Sequence, residues 1–453
     1  MKEYDLIVIG AGPGGYEAAF EAADLGMKTA LVEKDALGGT CLNRGCIPTK
    51  SLLHGAELLR QMREAAVFGV TAENIAYDPV KMQERKRVVV NQLRQGIETT
   101  AKKKKVDVIK GAGTFCGDGQ VLVHTAEGEE QLRGENILLA TGSRPALPPI
   151  PGAGLPHVLT SDELLEWDQK IDRLIIIGGG VIGVEFATLY QALGTDVTII
   201  EAMPQLLPNL DREIAQSLKM LLKKRGVTLF TGARVEAIQQ GENGCLLCDF
   251  NTGKAETAKA DAVLICVGRR PCTEGLFAEG VQPDVERGCI LVNSHYETSL
   301  PHVYAIGDVT GGIMLAHAAS AAGRNAVHYM AGLPPCADTR FIPSCVYAEP
   351  EIACVGLTMD EAKAAGIEAD SRKAVMSANG KTVLTSAERG YIRVMFEKQS
   401  KKLLGAQMMC ERATDMISCF TQALHAGLTV EALSQVIRPH PTFSEAISDA
   451  LHG

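Results

Sequence analysis

The chain has 453 residues, 46% hydrophobic and 22% charged, with 46 glycines and 13 cysteines, enough for roughly two to four domains with cores of their own. Its formal net charge of −9 excludes nucleic acid and anionic membrane as principal partners, since an acidic surface repels both. The opening MKEYDLIVIG enters a strand without an apolar secretory segment, and the longest apolar run, Leu174 to Val184, stops well short of the ~20 residues that span a bilayer. With the cysteines scattered and read as reduced thiols, a cytoplasmic protein without membrane contact is expected.

In chain order, DLIVIG (5 to 10) is a continuous apolar run suited to a buried parallel strand, AGPGG is a glycine turn, and YEAAFEAADLG is helical. A second strand, TALVE, ends on Glu33. Gly10, Gly12 and Gly15 thus form a GxGxxG in its required strand-turn-helix setting, with an acid 18 positions after Gly15. Such glycines let backbone N–H groups approach a pyrophosphate at a helix N-terminus, and the acid accepts bonds from a ribose. The basic run Lys102 to Lys105 reads as a solvated helix face. The same construction returns in RLIIIGGGVIGVEFATLYQALGTDVTIIE, where Gly178, Gly180, Gly183 and Glu201 each stand 168 positions after their counterparts. Two fingerprints in register predict two bound dinucleotides. NILLATGSRP and AVLICVGRRP, each an apolar strand followed by Gly-x-Arg-Pro, close the two units. The interval from Gly10 to Gly142 is 42 residues longer than that from Gly178 to Gly268, and the surplus includes GGTCLNRGCIPTK.

That insert carries Cys41 and Cys46. Zinc sites prefer closer cysteine pairs with a second knuckle, and none is nearby, so no metal is expected there. On an ideal helix residues five apart rise ~7.5 Å and turn ~140° from each other, beyond comfortable disulfide reach unless the backbone is distorted, which Gly45 allows. Pro48 belongs in a first helical turn, which places Cys46 near a helix N-terminus that favours a thiolate. Two ordinary buried cysteines remain the plain alternative to a redox couple, weakened by the neighbouring nucleotide site.

GGTCLNRGCIPTK resembles the redox-active segment of the flavin-dependent disulfide reductases, and within them the dihydrolipoyl dehydrogenase branch. ATGSRP, VGRRP, HVYAIGDVTGGIMLAHAAS and HPTFSE match that family's landmarks in order. The resemblance implies an α/β fold with two Rossmann-like domains. FAD would be held by 1–148 and 272–335, NAD by 149–271, and a C-terminal α+β dimerisation domain would comprise 336–453. It implies that Cys46 faces the flavin, that Cys41 exchanges with substrate, that Lys50 lies near the flavin with Glu185 as its charge partner, and that Asp308 binds the ribityl chain. It extends the cofactor-contacting set to Thr141, Gly142, Ser143, Arg144, Ala316, Gly268 and Arg269. His440, oriented by Glu445, would move protons at the thiols of the partner subunit, which makes an obligate homodimer. The implied reaction is oxidation of dihydrolipoamide, free or on a lipoyl-bearing protein of a 2-oxo acid dehydrogenase or related complex. Electrons would pass through the cysteine pair and FAD to NAD.

Residue chemistry fits these roles in part. Asp308 follows an apolar strand at the edge where ligands bind in open α/β sheets, histidine suits proton transfer near neutral pH, and a carboxylate on its other nitrogen would orient it. A helical Glu such as Glu185 more often faces solvent. Glu201, followed by AMPQLLPNL without Arg or Lys, favours NAD over NADP. Three departures from the pattern stand out: AASAAGRNAV after LAH, Glu349 where a histidine is common, and Cys272 where an asparagine is usual. Mercuric reductases carry a further cysteine pair that SDALHG lacks. A glutathione reductase-like enzyme is the runner-up, and a non-catalytic flavin or NAD redox sensor would have no need of Cys41, Cys46, His440 and Glu445 together.

Overall fold

A strand buried on both faces must divide its residues between two cores, and the first strand does so. In the computed structural model, which describes residues 1–388 and 390–452, Leu6 and Val8 of the strand Lys2–Ile9 pack with Ala18, Ala19, Leu31 and Leu138. Ile7 and Ile9 pack on the other side with Val32, Phe115 and Ile137. All four are at most 4% exposed, each worth about 1.5–3 kcal/mol of transfer free energy, which is why the run shows no polar alternation.

The packing divides the described chain into two units. The first comprises Met1–Pro149, Ala153–Ile171 and Leu264–Thr339. Its sheet runs in the order Asp107–Lys110, Thr29–Glu33, Lys2–Ile9, Gly128–Leu139, Gln120–Thr125, Ala112–Gly117, with Val303–Ala305 pairing parallel to Gly128–Leu139. The expected helix Pro13–Asp24 follows the first strand. The surplus residues of this unit form three helices, Gly39–Arg44, Cys46–Glu64 and Pro79–Lys104. The basic run closes the last of them, and its Lys104 pairs with Asp24.

The second unit comprises Ile150–Gly152, Asp172–Val263 and the chain from Arg340 onward. Strands Arg173–Ile177, Asp196–Glu201 and Thr228–Thr231 are parallel, with the helix Val181–Leu193 after the second glycine turn. Arg234–Gln240, Leu246–Asn251 and Ala255–Ala260 form an antiparallel sheet. The C-terminal stretch builds a five-stranded antiparallel sheet in the order Ser344–Val346, Ile352–Gly356, Leu403–Met409, Tyr391–Glu397, Ala369–Val375. The helices Ala413–His425 and Glu445–His452 bury Ile417, Phe420, Ala446 and Ile447 against it. Alternating parallel units followed by an antiparallel sheet with helices is the expected α/β plus α+β arrangement.

The entry to the second parallel sheet is fixed by Arg173, whose backbone N–H, Nε and Nη2 all donate to the Asp261 carboxylate at 2.5–3.2 Å. Hydrogen bonds from the Arg173 side chain hold that carboxyl below its ordinary value of 3.8. A depressed folded-state pKa gives stabilisation that is complete above the ordinary value and lost as pH falls through the folded one. Both side chains are more than a third exposed, so solvent screens the pair and its contribution is small. Asp261→Asn is expected to lower the thermal midpoint at pH 7, with the gap to the parent narrowing as pH falls below 3.8, which differential scanning across that range would check.

Candidate functional site

Gly45 separates the helices Gly39–Arg44 and Cys46–Glu64. A Cβ at this position would lie 3.1 Å from the Thr40 carbonyl oxygen and 3.5 Å from Cys41 Cα, so the break depends on the missing side chain. It brings the two cysteines side by side. Hydrogen bonding to the Cys46 side chain, followed by burial, pushes the Cys41 thiol far up, and the Lys50 ammonium pulls it back. Cys46 is the first residue of its 19-residue helix with Pro48 in the first turn, the place where exposed N–H groups favour a thiolate. Among the described residues, no group of three metal-ligating donors includes either thiol. Sequence reasoning missed what holds this segment. Asn43 donates to the carbonyls of Leu37 and Gly39 at 3.0 and 2.9 Å, and accepts from Arg94 Nη2 at 2.6 Å. Asn43 stood inside the quoted motif, but no spacing signals Arg94, 51 positions on.

The first glycine turn lies in the same unit. Gly10 has φ +105, and a Cβ at Gly15 would sit 1.9 Å from the Gly10 carbonyl oxygen, so these two glycines serve protein packing. Gly12 differs, because its missing Cβ meets nothing closer than Gly39 Cα at 4.0 Å. That space, at the N-terminus of Pro13–Asp24, suits a pyrophosphate approaching the backbone. Glu33 accepts the N–H groups of Ala11 and Asp35, both at 2.8 Å. Burial raises its carboxyl pKa, with the Ala11 N–H opposing. Ser143 Oγ donates to Asp308 at 2.5 Å, and Arg269 donates to Ser143 Oγ and its carbonyl at 2.7 and 2.8 Å. Asp308 lies on a single 3-10 turn just past the strand Val303–Ala305, and Ala316 is the first residue of the helix Ala316–Met330.

The two Gly-x-Arg-Pro echoes, read as the ends of separate units, pair with each other: Ser143–Pro145 and Arg269–Pro271 form one antiparallel ladder. Gly142 and Gly268 turn into it with φ +68 and +128. Thr141 donates to the Cys272 carbonyl at 2.7 Å, the Cys272 N–H donates to the Gly142 carbonyl at 2.9 Å, and Arg144 pairs with Glu274. Cys272 is thus held through its backbone, which leaves its side chain free to depart from the common residue. These donors and acceptors around an open glycine cradle fit a flavin dinucleotide.

In the second unit the hydrogen bonds repeat along with the motif. Glu201, 7% exposed, accepts the N–H groups of Gly179 and Met203, each at 2.5 Å. These two are the counterparts of Ala11 and Asp35 at the 168-residue offset. Gly178 turns with φ +115, Gly183 is buried in the helix, and the missing Cβ of Gly180 faces open space, so this cradle also fits a dinucleotide. Each carboxylate oxygen keeps a lone pair for a ribose hydroxyl. Glu185, expected from its residue type to face solvent, is 4% exposed and accepts the Tyr347 N–H at 3.1 Å. Glu349 pairs with Arg225, which also bonds the Glu349 carbonyl and reaches Glu388. The unusual acid is therefore part of a local ion cluster.

His440 Nδ1 meets Glu445 Oε1 at 2.8 Å, and Glu445 Oε2 accepts the Thr442 N–H at 2.8 Å. The Thr442 N–H first and His440 second hold the Glu445 carboxyl below its ordinary range. Since a carboxylate only accepts, Nδ1 carries the proton and Nε2 is left as the acceptor. The His440 side chain is 79% exposed. The buried Asn379 donates to the Thr442 carbonyl at 3.0 Å and steadies the loop, a contact that no sequence spacing announces.

Comparison with known proteins agrees with this geometry. The family model for pyridine nucleotide-disulphide oxidoreductases matches residues 4–323, and the dimerisation-domain model of the same family matches 342–451. A dihydrolipoyl dehydrogenase of Bacillus subtilis is 40% identical over 460 residues, covering 99% of this chain and 97% of the relative. A flavoprotein disulfide reductase of Escherichia coli induced by HOCl superposes with a TM-score of 0.88 at 31% identity, covering 99% of both chains. The structure of LpdA from Mycobacterium tuberculosis gives 0.92 at 26% identity, covering 100% of this chain and 99% of that one. A dithiol at a helix N-terminus, two dinucleotide cradles in register and full-length matches across both family models place this chain in the pyridine nucleotide-disulphide oxidoreductase family.

Proposed function

We propose that this chain oxidises dihydrolipoamide, free or carried on a lipoyl protein, with NAD as the final acceptor. The observation that carries the reading is the contact between Cys41 and Cys46 at the start of the helix Cys46–Glu64, in the unit that holds the first glycine cradle. In the oxidised protein the pair is a disulfide. A substrate thiolate attacks Cys41 Sγ, the Cys41–Cys46 bond breaks, and Cys46 leaves as a thiolate. The second substrate thiolate then attacks the substrate sulfur of the mixed disulfide, closing lipoamide and releasing Cys41. Two electrons have moved to the protein dithiol. His440 of the partner subunit takes one substrate proton and solvent the other. Lys50 stabilises negative charge at the thiols, with Glu185 as its proposed partner. When bound, FAD and NAD supply the two-electron relay that returns the dithiol to its disulfide.

Gly10, Gly12, Gly15, Glu33, Thr141, Gly142, Ser143, Arg144, Arg269, Asp308 and Ala316 are assigned to the first cofactor, and Gly178, Gly180, Gly183, Glu201 and Gly268 to the second. The domain division is proposed as 1–148 with 272–335, 149–271 and 336–453. A homodimer through the C-terminal domain is supported by the dimerisation-domain match and by Val383, Leu384, Val436 and Ile437, which are 49–95% exposed in the single chain. Partnership with a lipoyl-bearing protein is proposed from relatives named dihydrolipoyl dehydrogenase, and a 2-oxo acid dehydrogenase complex only from the family resemblance of the sequence. No described helix is long and apolar enough to cross a membrane. A cytoplasmic location is proposed from the scattered cysteines outside the redox pair, read as reduced thiols.

Initial rates with dihydrolipoamide and NAD test the reading. Parallel reciprocal plots are expected from two separated half-reactions, and absence of dihydrolipoamide turnover in the flavin-loaded dimer would remove it. Glu201 sets the nucleotide preference, because a buried carboxylate opposes a 2′-phosphate. The KM for NADP is expected about 10- to 200-fold above that for NAD, with the gap narrowed in Glu201→Gln. Equal KM values in the parent would contradict that assignment.

A further inference from the structure

The helices Pro13–Asp24 and Ala316–Met330 cross closely, because a Cβ on Gly323 would sit 2.4 Å from the Gly14 carbonyl oxygen. Farther along the same two helices, Glu21 and His328 meet, with Oε1 and Nε2 2.9 Å apart and side chains 25% and 15% exposed. The chain then folds back on the helix it has just left. The Leu333 N–H donates to the His328 carbonyl at 2.8 Å, and the Pro334 carbonyl lies 2.8 Å from His328 Nδ1. Asn325, 3% exposed, clamps the returning loop: it accepts the Ala337 N–H at 2.9 Å, donates to the Ala337 carbonyl at 2.8 Å and accepts the Cys336 thiol at 3.6 Å. The Pro-Pro-Cys stretch at this joint therefore delivers a sulfur to the histidine and the carboxylate. The three donor atoms of Glu21, His328 and Cys336 lie within 4.8 Å of one another.

We propose that Glu21, His328 and Cys336 bind a divalent cation of the zinc class. The cluster uses none of the residues assigned to the redox reaction. A carbonyl only accepts, so the proton on His328 Nδ1 is fixed by Pro334 and Nε2 is the vertex turned toward Glu21. The cation takes the place between Nε2 and the carboxylate. An imidazole, a thiolate and a carboxylate form a mixed N, S, O set that suits zinc, with water as fourth ligand. The outer groups are in place as well, since Pro334 orients the imidazole while Asn325 holds the thiol and its loop. Metal–ligand lengths of about 2.0–2.3 Å put tetrahedral ligand atoms about 3.3–3.8 Å apart, so on binding Glu21 and His328, now 2.9 Å apart, open by a few tenths of an ångström while the thiol moves in by up to about 1 Å. One thiolate and one carboxylate balance a double positive charge. Burial first and the Glu21 carboxylate second push the Cys336 thiol up, with the nearby Arg324 guanidinium opposing, so it is the cation that must draw the thiolate out. Binding displaces the proton of the Cys336 thiol.

The test uses the full-length, flavin-loaded protein carrying Cys41→Ser and Cys46→Ser, so that the redox pair supplies no thiolate. After treatment with a chelator it is titrated with Co²⁺ and then with Zn²⁺. One equivalent of Co²⁺ is expected, with tetrahedral d–d bands at wavelengths beyond flavin absorption, displaced by Zn²⁺, and a Zn²⁺-dependent rise in the melting temperature. Cys336→Ser and His328→Ala, added in turn, should weaken binding by at least about 100-fold and remove the melting shift. Saturable binding that survives both substitutions, or no saturable binding without Cys41 and Cys46, would show that Glu21 and His328 form an ion pair only.

Discussion

Cys46→Ser is expected to lower dihydrolipoamide turnover by about four orders of magnitude or more, the scale seen when a covalent nucleophile is removed, with the flavin retained. A hydroxyl at the first position of the helix Cys46–Glu64 neither closes a disulfide with Cys41 nor leaves as an anion near neutral pH, so substrate electrons have no entry. Fold and cofactor binding should persist, because the segment is positioned by Gly45, Asn43 and Arg94 and the cradle by Gly10, Gly12 and Gly15. NADH-driven reduction of an artificial dye, which needs no thiol, should survive within a few fold. Equal loss of dye reduction and dihydrolipoamide turnover would mean a damaged cofactor site and would withdraw the role given to the pair. Cys41→Ser should lose dihydrolipoamide turnover equally but leave a Cys46 thiolate, whose formation can be followed as alkylation by iodoacetamide.

His440→Ala is expected to reduce kcat for dihydrolipoamide by about 10²- to 10⁴-fold, the usual contribution of a positioned acid–base group, and to spare dye reduction. Glu445→Gln should cost less, because the amide oxygen still accepts from Nδ1 at the 2.8 Å position while the negative charge is gone. The carboxyl of Glu445 is held below its ordinary value by the Thr442 N–H and by His440, so it stays ionised over the working range. An unchanged kcat in Glu445→Gln would mean that this pair is structural. Mixing His440→Ala with Cys41→Ser protomers should restore a fraction of activity if the base acts across the dimer, since one mixed dimer contains one complete site.

The redox segment and the two cradles were legible because their chemistry is local. Gly10 and Gly15 must be glycine since a Cβ would strike backbone within 2.4 Å, and a requirement of that kind writes itself into a short motif. The repeat at 168 positions gave the matching acids, while the N–H bonds they accept from Ala11 and Gly179 came only with the structure. What joins distant stretches was not legible. Arg94 reaches Asn43, Tyr347 reaches Glu185, and the two Gly-x-Arg-Pro segments pair with each other, and each contact depends on how whole strands and helices stack.

By itself the sequence determined the class of fold, the two nucleotide turns, the neighbouring thiols and the histidine with its carboxylate, all set by bonds spanning a few residues or by a repeat. Only the tertiary structure decided that Glu185 is buried, that Cys272 acts through its backbone, and that Glu21, His328 and Cys336 converge. Burial and long-range meeting are properties of packed surfaces, where one helix crossing at Gly14 and Gly323 sets the distance between residues more than 300 positions apart.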